Sequence, residues 1–278
     1  MTVASPARAH TATLVVVGPV GRLEEAEQTV ASLDEAGSVR SVLIPTDGAA
    51  ASGTRLRDDF TVPVVKPEYL NNAIAALRLS SLPTIIWWRG GQPDRLDGVA
   101  PLADRVVLDV EDPAPLWSRA PALFERAAIT DIRWARLTRW RAAMAHFFDM
   151  PEVRTASPTV SRLEVVGTDR PQCTLFAGWL DASLRWEGRV AVEIVDADPP
   201  APMSAVRVTG AGIELSMRLL DNRVCVDTRA RVEAHVLASR VVSLGEEGLA
   251  ALLSQELRIR SRDVAFEQAL RSTAFLGI

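Results

Sequence analysis

The sequence predicts two domains of different class. Residues 1–150 read as an α/β domain with a mostly parallel sheet, Rossmann-like in its layering, and residues 161–278 as an α+β domain with an antiparallel sheet. Three observations carry this. Short β-branched runs alternate with helical runs in the first half. Strands follow one another directly in the second half. Between them lies a polar, proline-bearing stretch, "MPEVRTASPTVS", read as a linker over 151–160. A chain of 278 residues, 48% hydrophobic and 24% charged, has the material for two such cores.

The elements follow in order. "TATLVVV" (11–17) is apolar and β-branched, the mark of a buried strand. "GPVG" (18–21) turns it into "RLEEAEQTVASLDEA" (22–36), where Leu23, Ala26, Val30 and Leu33 share a helical face and Gly37 ends the helix. "SVRSVLIP" (38–45) is the second strand, "TDGAAASGTR" (46–55) a small-residue loop, and "FTVPVVKP" (60–67) an extended segment. "EYLNNAIAALRLS" (68–80) is helical through Leu70, Ile74 and Leu77. "LPTIIWW" (82–88) and "RVVLDV" (105–110) are strands. Two helices, "PLWSRAPALFERAA" (115–128) and "DIRWARLTRWRAAMAHFFD" (131–149), close the half. In the second half "RLEVVG" is a strand and "QCTLFAGWLDASLRW" (172–186) a helix. "RVAVEIVDA", "SAVRVTG", "IELSMRLL", "RVCVDTR" and "VEAHVLA" are further strands, with tight turns at 210–212 and 221–222. Ile213, Leu215, Met217 and Leu219 alternate with polar neighbours, as in a half-buried antiparallel strand. The chain ends in helices over 246–260 and 263–275.

Composition narrows the function. A net charge of −4 and a pI near 5.5 argue against a general binder of nucleic acid or anionic membrane. Lys66 is the only lysine, so arginine supplies 30 of 31 basic residues and any single arginine carries less meaning. "MTVASPARAH" lacks the apolar core of a signal peptide, and the longest apolar runs are far too short to span a bilayer. Cys173 and Cys225 stand far apart in no ligand spacing, and the expectation is a reduced, cytoplasmic protein.

Little in the sequence resembles a catalytic set. Gly18-Pro19-Val20-Gly21 follows the first strand but matches neither phosphate-binding glycine motif, and Pro19 removes a backbone donor, so Gly18 and Gly21 are weak phosphate candidates. His10, His146 and His235 have no metal-ligand spacing, and neither a metal nor a cofactor is expected. The paired acids at 58–59, 111–112 and 246–247 read as solvated loops or first helical turns.

The segment 131–149 is the most distinctive, with two tryptophans and four arginines. At 100° per residue Trp134, Leu137, Trp140, Met144, Phe147 and Phe148 form an apolar stripe, and Asp131 is placed to cap the helix. Arg136 and Arg139 fall on its flank and polar side. Arg141, seven residues after Trp134, returns to the stripe and must find a carboxylate, backbone carbonyls or an interface. Arginine and tryptophan are also the residues of interface hot spots, and of single-strand binding sites.

Three motifs in order, "LPTIIWWRG", "TDIRWARLTRWRAAMAHFFD" and "LFAGWLDASLRW", together with the closing "ASRVVSLGEEGLAALLSQELRIRSRDVAFEQAL", resemble the glucose-6-phosphate dehydrogenase assembly protein family (OpcA) over nearly the whole chain. The matching positions are Pro83, Trp87 and Trp88; Asp131, Trp134, Arg136, Trp140 and Arg141; and Ala177, Gly178, Trp179 and Leu180. Compared with that pattern, the chain starts about ten residues before its first strand, where members carry an additional segment, and the loop over 46–60 is short. The redox control of some photosynthetic members is not carried over to Cys173 or Cys225. The resemblance implies a non-catalytic partner that assists assembly or allosteric activation of glucose-6-phosphate dehydrogenase, supporting NADPH production in the oxidative pentose phosphate pathway. The partner-binding or interface-supporting candidates are then Trp87, Trp88, Asp131, Trp134, Arg136, Arg139, Trp140, Arg141 and Trp179. Two other readings stay open on the residues alone: an enzyme or sensor holding a sugar phosphate or nucleotide at the first domain's strand ends, and a single-stranded nucleic-acid binder using the tryptophan–arginine helix.

Overall fold

The computed structural model describes residues 11–33, 39–47, 65–79, 81–245, 248–259 and 261–276. The expected helix end at Gly37, most of the 46–55 loop, the extended run before Val65, His10 and the acid pairs at 58–59 and 246–247 lie outside these. The chain forms two compact units, one of residues 1–132 and 248–263, the other of 133–247 and 264–278.

The first unit is a parallel α/β layer, as expected. Its strands are β1 (Ala12–Gly18), β2 (Val39–Pro45), β3 (Thr84–Trp88), β4 (Arg105–Leu108) and β5 (Ala128–Asp131), in the order β2-β1-β3-β4-β5. Every pairing is parallel. The crossovers carry α1 (Val20–Ala31), α2 (Leu70–Leu77), α3 (Leu96–Val99), α4 (Ala114–Trp117) and α5 (Ala120–Leu123). All positions of β1, β3, β4 and β5 are buried, which is why they read as continuous apolar runs. The strand β5 was not expected. Its four residues, "AITD", are too short for a periodic signal and sit between two segments of helical composition.

The expected helix over 131–149 is broken. It divides into α6 (Ile132–Arg136) and α7 (Thr138–Ala145), followed by a 3₁₀ turn over His146–Asp149. The expected linker over 151–160 is instead ordered structure: α8 (Pro151–Ala156), a 3₁₀ turn (Ser157–Thr159) and the start of β6 (Val160–Val166). Pro151, which reads as a breaker, occupies the first helical turn, where its missing N–H costs nothing. The division between units therefore falls at Ile132 and not at 150.

In the second unit α9 (Arg170–Leu184) packs on a six-stranded sheet completed by β7 (Ala191–Val195), β8 (Ala205–Gly210), β9 (Ile213–Leu219), β10 (Cys225–Val232) and β11 (His235–Ser243). The order is β11-β10-β9-β8-β6-β7, antiparallel throughout except for the β6–β7 pair. The chain then returns to the first unit. There α10 (Leu249–Arg258) packs against α1, burying Leu252, Leu253 and Leu257. Glu256 on α10 holds Arg105 of β4 through Nε at 2.9 Å and Nη2 at 2.5 Å. The last helix, α11 (Val264–Ser272), belongs to the second unit and packs on α9.

Candidate functional site

A sheet of order 2-1-3-4-5 binds its ligand where the winding reverses, outside the C-terminal ends of β1 and β3. Here the protein's own side chains fill that place. Arg89 follows β3 and is 2% exposed. Its Nε donates to Asp109 Oδ2 at 2.9 Å, its Nη1 to the Arg22 carbonyl at 2.7 Å and its Nη2 to Glu25 Oε2 at 2.5 Å. Trp87 lies two residues earlier, on the same side of the strand. Its indole N–H donates to the same Asp109 oxygen at 3.1 Å, and the guanidinium sits 4.6 Å from its ring centre.

The two weak phosphate candidates fare accordingly. A Cβ on Gly18 would stand 3.1 Å from Arg89 Cβ, so this glycine serves close packing. Gly21 lies within the first turn of α1, whose leading amide, Val20 N–H, already donates to Asp47 Oδ1 at 2.9 Å. A carboxylate thus stands where a bound anion would. Trp88 is fully buried on the other side of β3 and meets Gly91, whose φ of +136° requires glycine.

The tryptophan–arginine segment is built differently from an exposed stripe. Asp131 ends β5, fully buried, and its Oδ2 accepts from Trp117 Nε1 at 3.0 Å. Arg133 donates from Nε to Asp169 Oδ1 at 3.0 Å, and Asp169 in turn caps α9 by accepting from Gln172 N–H at 3.1 Å. Trp134, 2% exposed, meets Phe266 edge-on at 5.7 Å. Over its other face lies Arg141, with the guanidinium carbon 3.5 Å from the ring centre. Arg141 Nη2 also makes long contacts to the Trp134 carbonyl at 3.4 Å and Thr138 Oγ1 at 3.3 Å. The arginine on the apolar stripe is therefore held by an indole face and a backbone carbonyl.

Trp140 is buried, while Arg136 and Arg139 are exposed. These three line a cavity of about 210 Å³ together with Gln172, Met203 and Arg223. Gln172 is 4% exposed. Its side-chain oxygen is buried without a hydrogen-bond partner among the described residues. The sequence reading missed Arg133, Gln172 and Arg223. Only Arg133 carried a signal there, as one of the four arginines of the segment.

Trp179 is half-buried and tilts against Phe176 at 5.4 Å. Its neighbour Gly178 has a packing role: a Cβ there would stand 2.5 Å from the Ala269 carbonyl oxygen of α11. Burial pushes the Cys173 thiol up to about 12, helped by the negative charge of Asp169. No group of acidic, histidine and cysteine side chains among the described residues could hold a metal ion. No described helix is long and apolar enough to cross a membrane.

The sequence profile for the C-terminal domain of the glucose-6-phosphate dehydrogenase protein OpcA matches residues 127–270, just over half of the chain. The chain belongs to the OpcA family. A Nostoc punctiforme relative named as a putative OxPP cycle protein OpcA is 26% identical over 251 residues, which cover 74% of this chain and 54% of the relative. A Synechocystis relative of the same name is 27% identical over 129 residues, 43% of this chain and 27% of that one. The chain thus spans about half the length of the Nostoc OpcA. Among solved structures, the aldose-aldose oxidoreductase from Caulobacter crescentus, complexed with glycerol, aligns with a TM-score of 0.50 over 94% of this chain and 95% of its own. At 11% identity this is a likeness of fold alone.

Proposed function

We propose that this OpcA-family chain is a non-catalytic, cytoplasmic partner of glucose-6-phosphate dehydrogenase that supports its assembly or activity. The carrying observation is the profile match over 127–270, which takes in the whole tryptophan–arginine segment and most of the second unit. The filled strand ends of the first unit support the same reading. The switch point that a sugar phosphate or nucleotide would use is occupied by Arg89, Asp109 and Glu25. An activator must bind the active or assembled enzyme better than its alternative, and this difference sets the size of the effect.

The candidate residues then divide by exposure. Trp87, Trp88, Asp131, Trp134 and Trp140 are buried and support the surface from within. Arg136, Arg139 and, in part, Arg141 and Trp179 reach it and are the ones placed to touch a partner. The test is a titration of the cognate dehydrogenase with this protein, reading rate and sedimentation together. The expected outcome is a saturable rise in rate or in oligomer size that Arg136→Glu with Arg139→Glu weakens. A dehydrogenase indifferent to the wild-type protein in both readouts removes the proposal.

A further inference from the structure

We propose that the cavity beside α7 in the second unit binds a small hydroxylated anion, a polyol carrying a phosphate monoester or a carboxylate. Arg136, Arg139 and Arg223 bring three guanidinium groups to a space of about 210 Å³, and no acidic residue is among its described lining. Among the described residues neither Arg136 nor Arg223 has an ion-pair partner. Guanidinium forks match the oxygens of phosphate and carboxylate, which fixes the charge of the ligand. Trp140, Met203 and Leu219 give the space an apolar wall suited to a carbon skeleton.

Gln172 fixes the rest of the ligand's chemistry. Its buried side-chain oxygen lacks a donor, and a buried unpaired polar atom is costly. A hydroxyl group beside the anion supplies that donor, and it satisfies the amide in either orientation. An acidic side chain of a protein partner would answer the arginines but leave Gln172 unpaired, so a small molecule fits better. Binding at this cavity stands apart from the dehydrogenase reading, and its test contains no dehydrogenase.

Calorimetric titrations at fixed ionic strength with glycerol phosphate, glycerate and methyl phosphate decide it. Glycerol phosphate or glycerate should give saturable heat, and whichever binds identifies the anion. Methyl phosphate, which lacks the hydroxyl, should bind about tenfold more weakly than glycerol phosphate. Arg136→Gln with Arg223→Gln replaces exposed side chains, so it should melt normally and lose at least about tenfold in affinity. Gln172→Met should lower glycerol phosphate to the level of methyl phosphate. No saturation with any of the three probes overturns the proposal, as does binding unchanged in the double-arginine variant. Glu246 and Glu247 follow Gly245 of the cavity wall in sequence. If binding arises only in Glu246→Gln with Glu247→Gln, the chain's own acids occupy the site and the proposal fails.

Discussion

Arg141 shows how much a single position can say in advance. Its return to the apolar stripe is arithmetic on 100° per residue, and it predicts that the charge must be answered nearby. What answers it could not be read from the sequence, because an indole face seven residues away competes equally with any carboxylate brought up by the fold. The structure gives Trp134 and a backbone carbonyl. Arg141→Ala should therefore cost about 1–2 kcal/mol, read from a urea unfolding midpoint. Arg141→Lys should recover only part of this, since an ammonium lacks the planar stack. If activation of the dehydrogenase falls further than the loss of folded protein, the arginine acts at the contact as well. A variant that is normal in both would remove it from the account. Cys173 gives a second test. Burial holds its thiol protonated, so iodoacetamide at pH 8 should label it only on unfolding. Its raised pKa has a definite sign for stability. The contribution is present below about pH 9, where the unfolded thiol is also protonated, and is lost as pH rises toward about 12.

Helices and strands were legible in proportion to their length. The alternating strand β9 and the buried strand β1 follow from period and composition alone. The short strand β5 and the helix α8 were missed for opposite reasons: one has too few residues to be periodic, and the other begins with a proline that reads as a breaker. The "AGWL" run, conspicuous as a motif, is explained by the approach of α9 and α11. This gives a test in which two effects oppose each other. Alanine at 178 should favour an isolated helix by about 1 kcal/mol, yet its Cβ would meet the Ala269 carbonyl. Gly178→Ala is expected to destabilise by about 1–3 kcal/mol, because overpacking outweighs propensity. A stabilised variant would mean that α9 and α11 are not this close. The ion pair between β4 and α10 invites a further comparison. Burial raises the pKa of Glu256, and the Arg105 charge opposes that shift. Glu256→Ala would strand a buried guanidinium and should cost about 3–5 kcal/mol, while Arg105→Met with Glu256→Leu should cost much less. Thermal denaturation of the two variants separates these outcomes.

The whole molecule departs furthest from a linear reading, since residues 248–263 complete a unit that begins at the other end of the chain. No local pattern announces this: α10 is an ordinary amphipathic helix until its partners are known. A fragment of residues 1–132 should accordingly lack a cooperative unfolding transition and bind a hydrophobic dye, and appending residues 248–263 through a flexible linker should restore the transition. If the short fragment melts cooperatively, α10 is an ornament of the first unit and not part of its core. The same interruption has a consequence during protein synthesis. At about 5–20 residues per second, the ribosome needs roughly 6–24 s to pass from the end of β5 at Asp131 to the start of α10 at Leu249. Through that interval the nascent first unit waits beside the exit tunnel with Arg105 unanswered and the seat of three leucines open to water. The cell must shelter it until the last stretch of message is read, so translation pauses and chaperone supply will govern the yield of this protein more than its finished stability does.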